Sequence, residues 1–400
     1  MRPCYSRRRR REHASERARG GRCAAMTRTS SRRGRPNESS TEGRGAPSTR
    51  RRRPLAKASP RGEDPSVSLF VRTSTMPVPV ERLAAWHFRP GALVRMIPPW
   101  IRARVVNPAG VAEGSRARME LRIGLMRFSW IAVHRQVTPG RSFVDEQEQG
   151  PFRSWRHAHR FLPDGNRRSR IEDHVEYEIP AGALGRLVTG PWVRSHLRRA
   201  FEFRHRRLAE DLARHAECPT AEPLRIAVTG ATGLVGRELV PFLEGGGHQV
   251  RRVVRSTPDH ERLEIGWNPR EGRIDSRRLE GLDAVVHLAG AGIADKRWSP
   301  GRKEEIRRSR VEGTRLLAKT LASLSTPPRV LVSASAVGWY GDRGSREVDE
   351  RSDRGNGFLS DVCADWERST EEAEAAGVRV VHLRIGLVLS ARGGALGTLA

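Results

Sequence analysis

Tyrosine, cysteine and long apolar runs are what this chain has least of, and each shortage excludes something. Its 400 residues include three tyrosines and four cysteines. The cysteines, Cys4, Cys23, Cys218 and Cys363, lie far apart, with no CxxC or Cys/His metal spacing. That argues against a disulfide framework and for a reducing compartment. No stretch approaches the roughly 20 apolar residues that span a bilayer. The N-terminal arginines have no apolar run behind them, so they do not read as a secretory signal. The expectation is a cytoplasmic protein with no membrane span and no metal site.

Acidic residues are also scarce, 46 against 74 lysines and arginines, for a net charge of +28. Half of that excess sits in residues 1–65, which carry 20 basic and 6 acidic side chains. Arg7–Arg11 and Arg50–Arg53 are unbroken arginine runs, and large apolar side chains are nearly absent around them. Such a segment buries too little surface to offset its ordering entropy, so disorder is expected for 1–65. An arginine-rich arm can hold phosphates, but no aromatics are interleaved here and no folded reader adjoins it. Nucleic acid is therefore not expected as a partner. An incidental extension, with Met26 as an alternative start, is the favoured reading.

The length allows two or three domains. Residues 66–216 alternate like strands at Ser66–Thr75, then give a helix from Pro79 to Phe88, stopped by Pro98-Pro99. Six further strand-like runs follow: Arg102–Val106, Arg116–Ile123, Arg127–Val137, Ser142–Gln149, Ser154–Phe161 and Ser169–Glu178. A long amphipathic helix, expected to start at Pro191, carries Leu197, Phe201, Leu208 and Leu212 on one stripe. This order, with the segment Ala85-Trp-His-Phe-Arg-Pro-Gly-Ala92, resembles the helix-grip fold of START-like, polyketide-cyclase-type lipid-binding domains. The resemblance implies an apolar cavity and a hydrophobic ligand. Trp86, Trp100, Trp130, Trp155 and Phe201 either line that cavity or simply fill the core. His87, His134, His157 and His159 read as core or surface histidines.

From Leu224 the pattern changes. Arg225–Thr229 is a β-branched run leading into Gly230-Ala-Thr-Gly-Leu-Val-Gly236 and then a helix. Strand, glycine-rich turn and helix together make a dinucleotide fingerprint, in which a helix N-terminus meets the pyrophosphate. The candidate cofactor residues are Gly230, Thr232, Gly233, Leu234, Val235 and Gly236, with Leu288, Ala289 and Gly290 at the end of a later strand. Nineteen residues beyond Gly236, where an NAD site commonly has a carboxylate for the ribose hydroxyls, stands Arg255. A guanidinium there holds a 2′-phosphate, which favours NADP over NAD. Alternating strands and helices at Asp283–Gly290, Lys303–Leu324, Arg329–Gly341 and Val378–Leu389 imply a doubly wound parallel sheet.

Thr229–Gly236, His287–Gly290 with Ala294–Trp298, Ser333–Gly341 and Leu383-Arg-Ile-Gly together resemble extended and atypical short-chain dehydrogenases. The closest likeness is to NAD-dependent epimerase/dehydratase proteins of the sugar-nucleotide epimerase group, some of which carry a START-like domain in front. The fold class expected is thus an α/β Rossmann domain at 224–400, preceded by an α+β helix-grip domain at 66–216 and a disordered basic tail. The resemblance implies an oxidoreductase or epimerase, with a nicotinamide dinucleotide and a small-molecule substrate such as a nucleotide sugar. It also implies a catalytic Ser/Thr, a Tyr and a Lys four residues after the Tyr. Ser335 stands at the serine and Tyr340 is the one tyrosine of this half. The Tyr-x-x-x-Lys itself is missing, because Phe358 or Leu359 would pair with Val362 or Cys363. Arg310 replaces the family asparagine. Lys296, Arg297 and Trp298 either receive an anionic substrate or form a solvated loop. The chain stops where the family begins its substrate-binding region, so a fragment, or a protein without that region, is expected. A non-catalytic cofactor sensor is the alternative function.

Overall fold

The first sheet is built from strands that alternate inward and outward. The computed structural model describes residues 66–107 and 110–394; the disorder expected for residues 1–65 lies outside the described residues. Strand β1 (Ser68–Met76) is followed by helices α1 (Val80–His87) and α2 (Ala92–Met96). Then come β2 (Arg102–Asn107), β3 (Arg116–Ile123), β4 (Met126–Thr138), β5 (Ser142–Gln149), β6 (Ser154–Asp164) and β7 (Arg168–Glu178). They form one antiparallel sheet in the order β1-β7-β6-β5-β4-β3-β2. In β7, Ser169, Ile171, Asp173, Val175 and Tyr177 are buried at every second position, as the two-residue pleat requires.

Helix α3 (Gly182–Glu217) lies against this sheet, with Phe201 packed 5.1 Å, ring to ring, from Phe70. Its buried Phe201, His205, Leu208 and Leu212 recur at helical spacing on one face. The helix starts at Gly182 rather than at Pro191, which becomes an interior residue. Proline's fixed φ is compatible with a helix, so α3 passes through Pro191 with the loss of one backbone hydrogen bond.

The second sheet contains β8 (Arg225–Thr229), β9 (Gln249–Val254), β10 (Ile265–Asn268), β11 (Arg273–Ile274), β12 (Ala284–His287), β13 (Val330–Ala336) and β14 (Arg379–Ile385). Its order is β11-β10-β9-β8-β12-β13-β14, parallel apart from the β10–β11 hairpin at one edge. Helices α4 (Gly236–Gly245), α5 (Pro300–Ala322), α6 (Phe358–Arg368) and α7 (Glu371–Ala375) complete it. Buried Ala227, Val285 and Leu331 on β8, β12 and β13 meet Leu317 and Leu321 of α5. Helix α5 begins at Pro300, three residues before the expected Lys303, because Ser299 caps it by accepting from the Arg302 amide at 3.2 Å. The order reverses between β8 and β12, and this switch point is where a parallel sheet opens a crevice for ligands.

Both sheets belong to one packed unit. The contact between them is centred on Arg95 of α2. Its guanidinium forks onto both carboxylate oxygens of Asp211 on α3, at 2.7 and 2.6 Å, and reaches Glu238 on α4 at 2.6 Å. It also lies over Phe242 of α4, whose ring stacks on His215 of α3 at 4.3 Å. Arg392 adds a second link, donating to the Ile97 carbonyl and pairing with Glu238 at 2.9 Å. Arg95 and Asp211 are both nearly inaccessible, with side-chain exposures of 5% and 4%. Removing one partner of such a buried pair strands the other charge, at a cost of about 3–5 kcal/mol. Arg95→Ala is therefore expected to lose stability of that order in urea unfolding, and Arg95→Met with Asp211→Leu to recover most of it. A loss under about 1 kcal/mol for Arg95→Ala would show that the pair does not hold the two sheets together.

Candidate cofactor and catalytic site

The glycine loop between β8 and α4 sits at the switch point. Gly230 has a positive φ of 66°, and a Cβ there would come within 2.7 Å of the Leu288 carbonyl carbon, beyond β12. Only glycine lets the two strand ends approach this closely. A Cβ on Gly236 would overlap the Gly230 carbonyl oxygen. Within the loop the Gly233 amide donates to Gly230 at 2.9 Å, and Arg237 Nε donates to the Thr232 carbonyl at 2.6 Å. The expected cofactor residues Gly230, Thr232, Gly233, Leu234, Val235 and Gly236 thus form one turn, with Leu288, Ala289 and Gly290 facing it.

A buried polar cluster beneath the turn holds it. The Thr229 hydroxyl accepts from the amides of Leu288 and Ala289, at 3.1 and 3.2 Å. Its own proton is then directed to His287 Nδ1, 2.7 Å away. His287 must accept on Nδ1 and donate from Nε2, which meets Thr314 Oγ1 of α5 at 3.0 Å. Burial lowers the His287 pKa to about 4, in agreement with this neutral tautomer.

The strand-end loop is fastened from α5 by two buried arginines. Arg310 donates to the carbonyls of Ala291 and Ile306, both at 3.0 Å, and stacks over Trp366 at 5.0 Å. Arg302 donates to the Gly292 carbonyl and pairs with Glu305. The arginine in the family asparagine's place thus positions backbone beside Gly290. Lys296, Arg297 and Trp298 are exposed, with the Trp298 indole tied to the Ile293 carbonyl at 2.9 Å. Arg255 is exposed at the exit of β9, and it forms no ion pair among the described residues. It lines an open groove with Ser256, Thr257 and Asn268.

Ser335 and Tyr340 meet through two residues that spacing alone does not single out. Ser335 Oγ donates to Glu367 of α6 at 2.6 Å. Glu367 takes two hydrogen bonds from Arg384 of β14, both 3.0 Å, and Arg384 Nη1 donates to the Tyr340 hydroxyl at 3.2 Å. Burial pushes the Glu367 carboxyl up, but the bonds from Arg384 and Ser335 outweigh it and leave the group below its usual range. The Glu367 hydrogen bond in turn raises Arg384. Cys363, the other residue near Ser335, has its thiol pushed up by burial and bonds to the Ala336 carbonyl at 3.6 Å.

The first sheet and α3 enclose a cavity of about 260 Å³. Trp130, Trp155 and Phe201 line it, whereas Trp86 packs in the core and Trp100 is 43% exposed. Its floor is polar. His134, Asp145, His157, His159 and Asp173 project from four adjacent strands, and His205 joins them from α3. Sequence reasoning takes His134, His157 and His159 singly and does not mark His205, because the register that aligns them is not visible in composition or spacing.

Residues 226–395 match the NAD dependent epimerase/dehydratase family, and residues 76–203 match the family described as polyketide cyclase / dehydrase and lipid transport. An epimerase family protein of Mycobacterium bovis is 42% identical over 171 residues, 43% of this chain and 56% of that protein. A chloroplastic homologue from Arabidopsis thaliana is 38% identical over 181 residues, 43% of this chain and 51% of the homologue. The chain thus spans a little over half the length of these relatives. A solved structure described as a nucleoside-diphosphate sugar epimerase from Corynebacterium glutamicum superposes with a TM-score of 0.68 and 35% identity, covering 82% of this chain and 68% of that one. The chain belongs to the NAD dependent epimerase/dehydratase family. The cofactor of this epimerase family is a nicotinamide dinucleotide, and the loop fits one. Gly230 and Gly236 let the turn close tightly on Leu288 and on itself where a Cβ would collide, and the N-terminus of α4, which has no side-chain cap, faces the turn.

His287 generates a prediction for this epimerase-family cradle. Its folded pKa of about 4 lies below the unfolded value of 6.5, so the unfolded chain binds more protons between those values. The stability it contributes is whole above pH 6.5 and lost as pH falls towards 4, by up to about 3 kcal/mol. Urea unfolding from pH 7 to 4.5 should show a shallower acid loss in His287→Gln than in the native chain. An unchanged slope would refute the neutral buried tautomer.

Proposed function

We propose that this chain is an NADP-dependent oxidoreductase of the epimerase/dehydratase kind, acting in the cytoplasm on a small molecule such as a nucleotide sugar. The glycine turn at the switch point carries the reading, and the exposed Arg255 at the exit of β9, with no ion pair among the described residues, supports NADP over NAD. Bound nicotinamide supplies reversible hydride transfer. The residues of this chain bind and orient: the loop amides hold the pyrophosphate, Arg255 the 2′-phosphate, and Leu288–Gly290 the flat face beyond β12. Tyr340 would move the substrate proton. Its oxygen accepts from Arg384, which leaves its own proton free, so an arginine stands beside the phenol in a chain without the Tyr-x-x-x-Lys lysine. Residues 66–216 form the helix-grip domain of this reading and hold an apolar ligand, and residues 224–400 form the Rossmann domain. No helix among the described residues is long and apolar enough to cross a membrane.

A second reading, a cofactor sensor without turnover, is favoured by one observation. Ser335 and Tyr340 are only 2% and 8% exposed, and both are engaged with charged partners. Two measurements test the proposal. In calorimetric titration, NADPH should bind more tightly than NADH, and Arg255→Asp should abolish that preference; equal affinities would refute the Arg255 role. Tyr340→Phe should then reduce turnover about 100-fold or more with NADPH affinity unchanged. Absence of turnover by the native chain on nucleotide-sugar and carbonyl panels would favour the sensor.

A further inference from the structure

The polar floor of the helix-grip cavity is built more elaborately than a core needs. Strand register assembles it. His134 faces Asp145 across β4–β5, Asp145 faces His157 across β5–β6, and His159 faces Asp173 across β6–β7. His157 and His159, two residues apart on β6, share the face towards α3. Asp145 Oδ2 lies 3.2 Å from His159 Nε2 and 3.9 Å from His157 Nδ1. One donor atom from each of the three falls within 4.8 Å of the others. Tetrahedral coordination at 2.0–2.1 Å sets ligand atoms about 3.3 Å apart, so small side-chain rotations close the triad around an ion.

The surroundings match what a metal site requires of its second layer. Metal-binding imidazoles commonly give their other nitrogen to a carboxylate, which fixes ring and tautomer. Here one carboxylate lies against both rings, hydrogen-bonded to His157 and touching His159, whose Nδ1 makes no aligned hydrogen bond. Asp173 Oδ1 lies 3.1 Å from His157 Nε2 and 2.7 Å from His159 Nδ1. His205 Nε2 holds the other Asp173 oxygen at 2.6 Å, and His134 Nδ1 holds the other Asp145 oxygen at 2.6 Å. A second observation points to a ligand independently. His87, 3% exposed and lining the same cavity, donates from Nδ1 to the Leu83 carbonyl at 2.9 Å, and its Nε2 has no partner. Arg89 and Arg204 also line the cavity; Arg204 stacks over Phe201 at 4.7 Å and forms no ion pair among the described residues. Buried Asp173 and part-buried Asp145 are thus both surrounded by imidazoles, the side chains that pair with carboxylates in zinc sites.

We propose that Asp145, His157 and His159 bind a divalent transition-metal ion of the zinc class, oriented by Asp173, with its remaining positions open to the apolar cavity. Two histidines and one carboxylate with open positions suit an ion that takes a small, mostly apolar ligand through an oxygen atom. His87, lining the same cavity, supplies a free lone pair to that ligand.

The test uses the whole chain, stripped with chelator, dialysed and titrated with Co²⁺ and Zn²⁺. One Co²⁺ per chain is expected, with the visible absorption of a low-coordinate nitrogen–oxygen site, and Zn²⁺ should displace it. His157→Gln combined with Asp145→Asn should abolish uptake, with NADPH binding at the glycine loop as the check that the variant is folded. Asp173→Asn should weaken the affinity about 10–100-fold. No stoichiometric Co²⁺ or Zn²⁺ uptake by the folded native chain would overturn the proposal and leave a purely hydrogen-bonded network. So would uptake undiminished in the folded double variant. If the variants do not fold, the native stoichiometry and spectrum decide.

Discussion

Arg95 is the group on which the arrangement of this molecule depends. It is buried, it is a cation, and its two carboxylates come from different sheets' helices, Asp211 on α3 and Glu238 on α4. A guanidinium suits this task because its fork satisfies one carboxylate in bidentate fashion and still presents a donor to another. Helix α3 forms one wall of the apolar cavity through Phe201 and Arg204, and α4 begins at the glycine loop. One ion-pair cluster therefore connects the element that shapes the cavity with the element whose N-terminus faces the cofactor crevice.

In the parallel sheet, chemistry follows from how closely backbones approach. Gly230 brings the β8 exit against Leu288, and Thr229 and His287 turn that approach into a satisfied network rather than a strained one. A few residues away, Glu367 and Arg384 do comparable work for Ser335 and Tyr340. The ion pair is only partly exposed, at 10% for Glu367 and 18% for Arg384, so it is worth more than a surface pair and also restrains the phenol.

Much of this architecture was legible in the sequence, for identifiable reasons. Strands of the first sheet alternate at period two, and their runs, such as Ser142–Gln149, coincide with observed strands. The Rossmann strands are short β-branched runs next to turn glycines, a local signal. What escaped reading is what depends on register and three-dimensional partners. Arg384 stands in the Leu383-Arg-Ile-Gly motif, but Glu367 lies 17 residues away on another element and nothing in the sequence joins the two. The start of α3 was misplaced because proline is usually a boundary and here is not. Asp145 and Asp173 read as ordinary strand residues until the pairing of four strands set them beside the imidazoles.

That pairing has a consequence for how the chain can drift over generations. Along β6, Trp155, His157, His159 and Phe161 face the cavity side, while Arg156 and Arg160 point the other way. Because the pleat has a period of two, inserting or deleting one residue between Trp155 and Phe161 would exchange the faces, sending the imidazoles outward and arginines into an apolar hollow. A substitution on this strand changes one facing residue; a change in its length changes all of them at once.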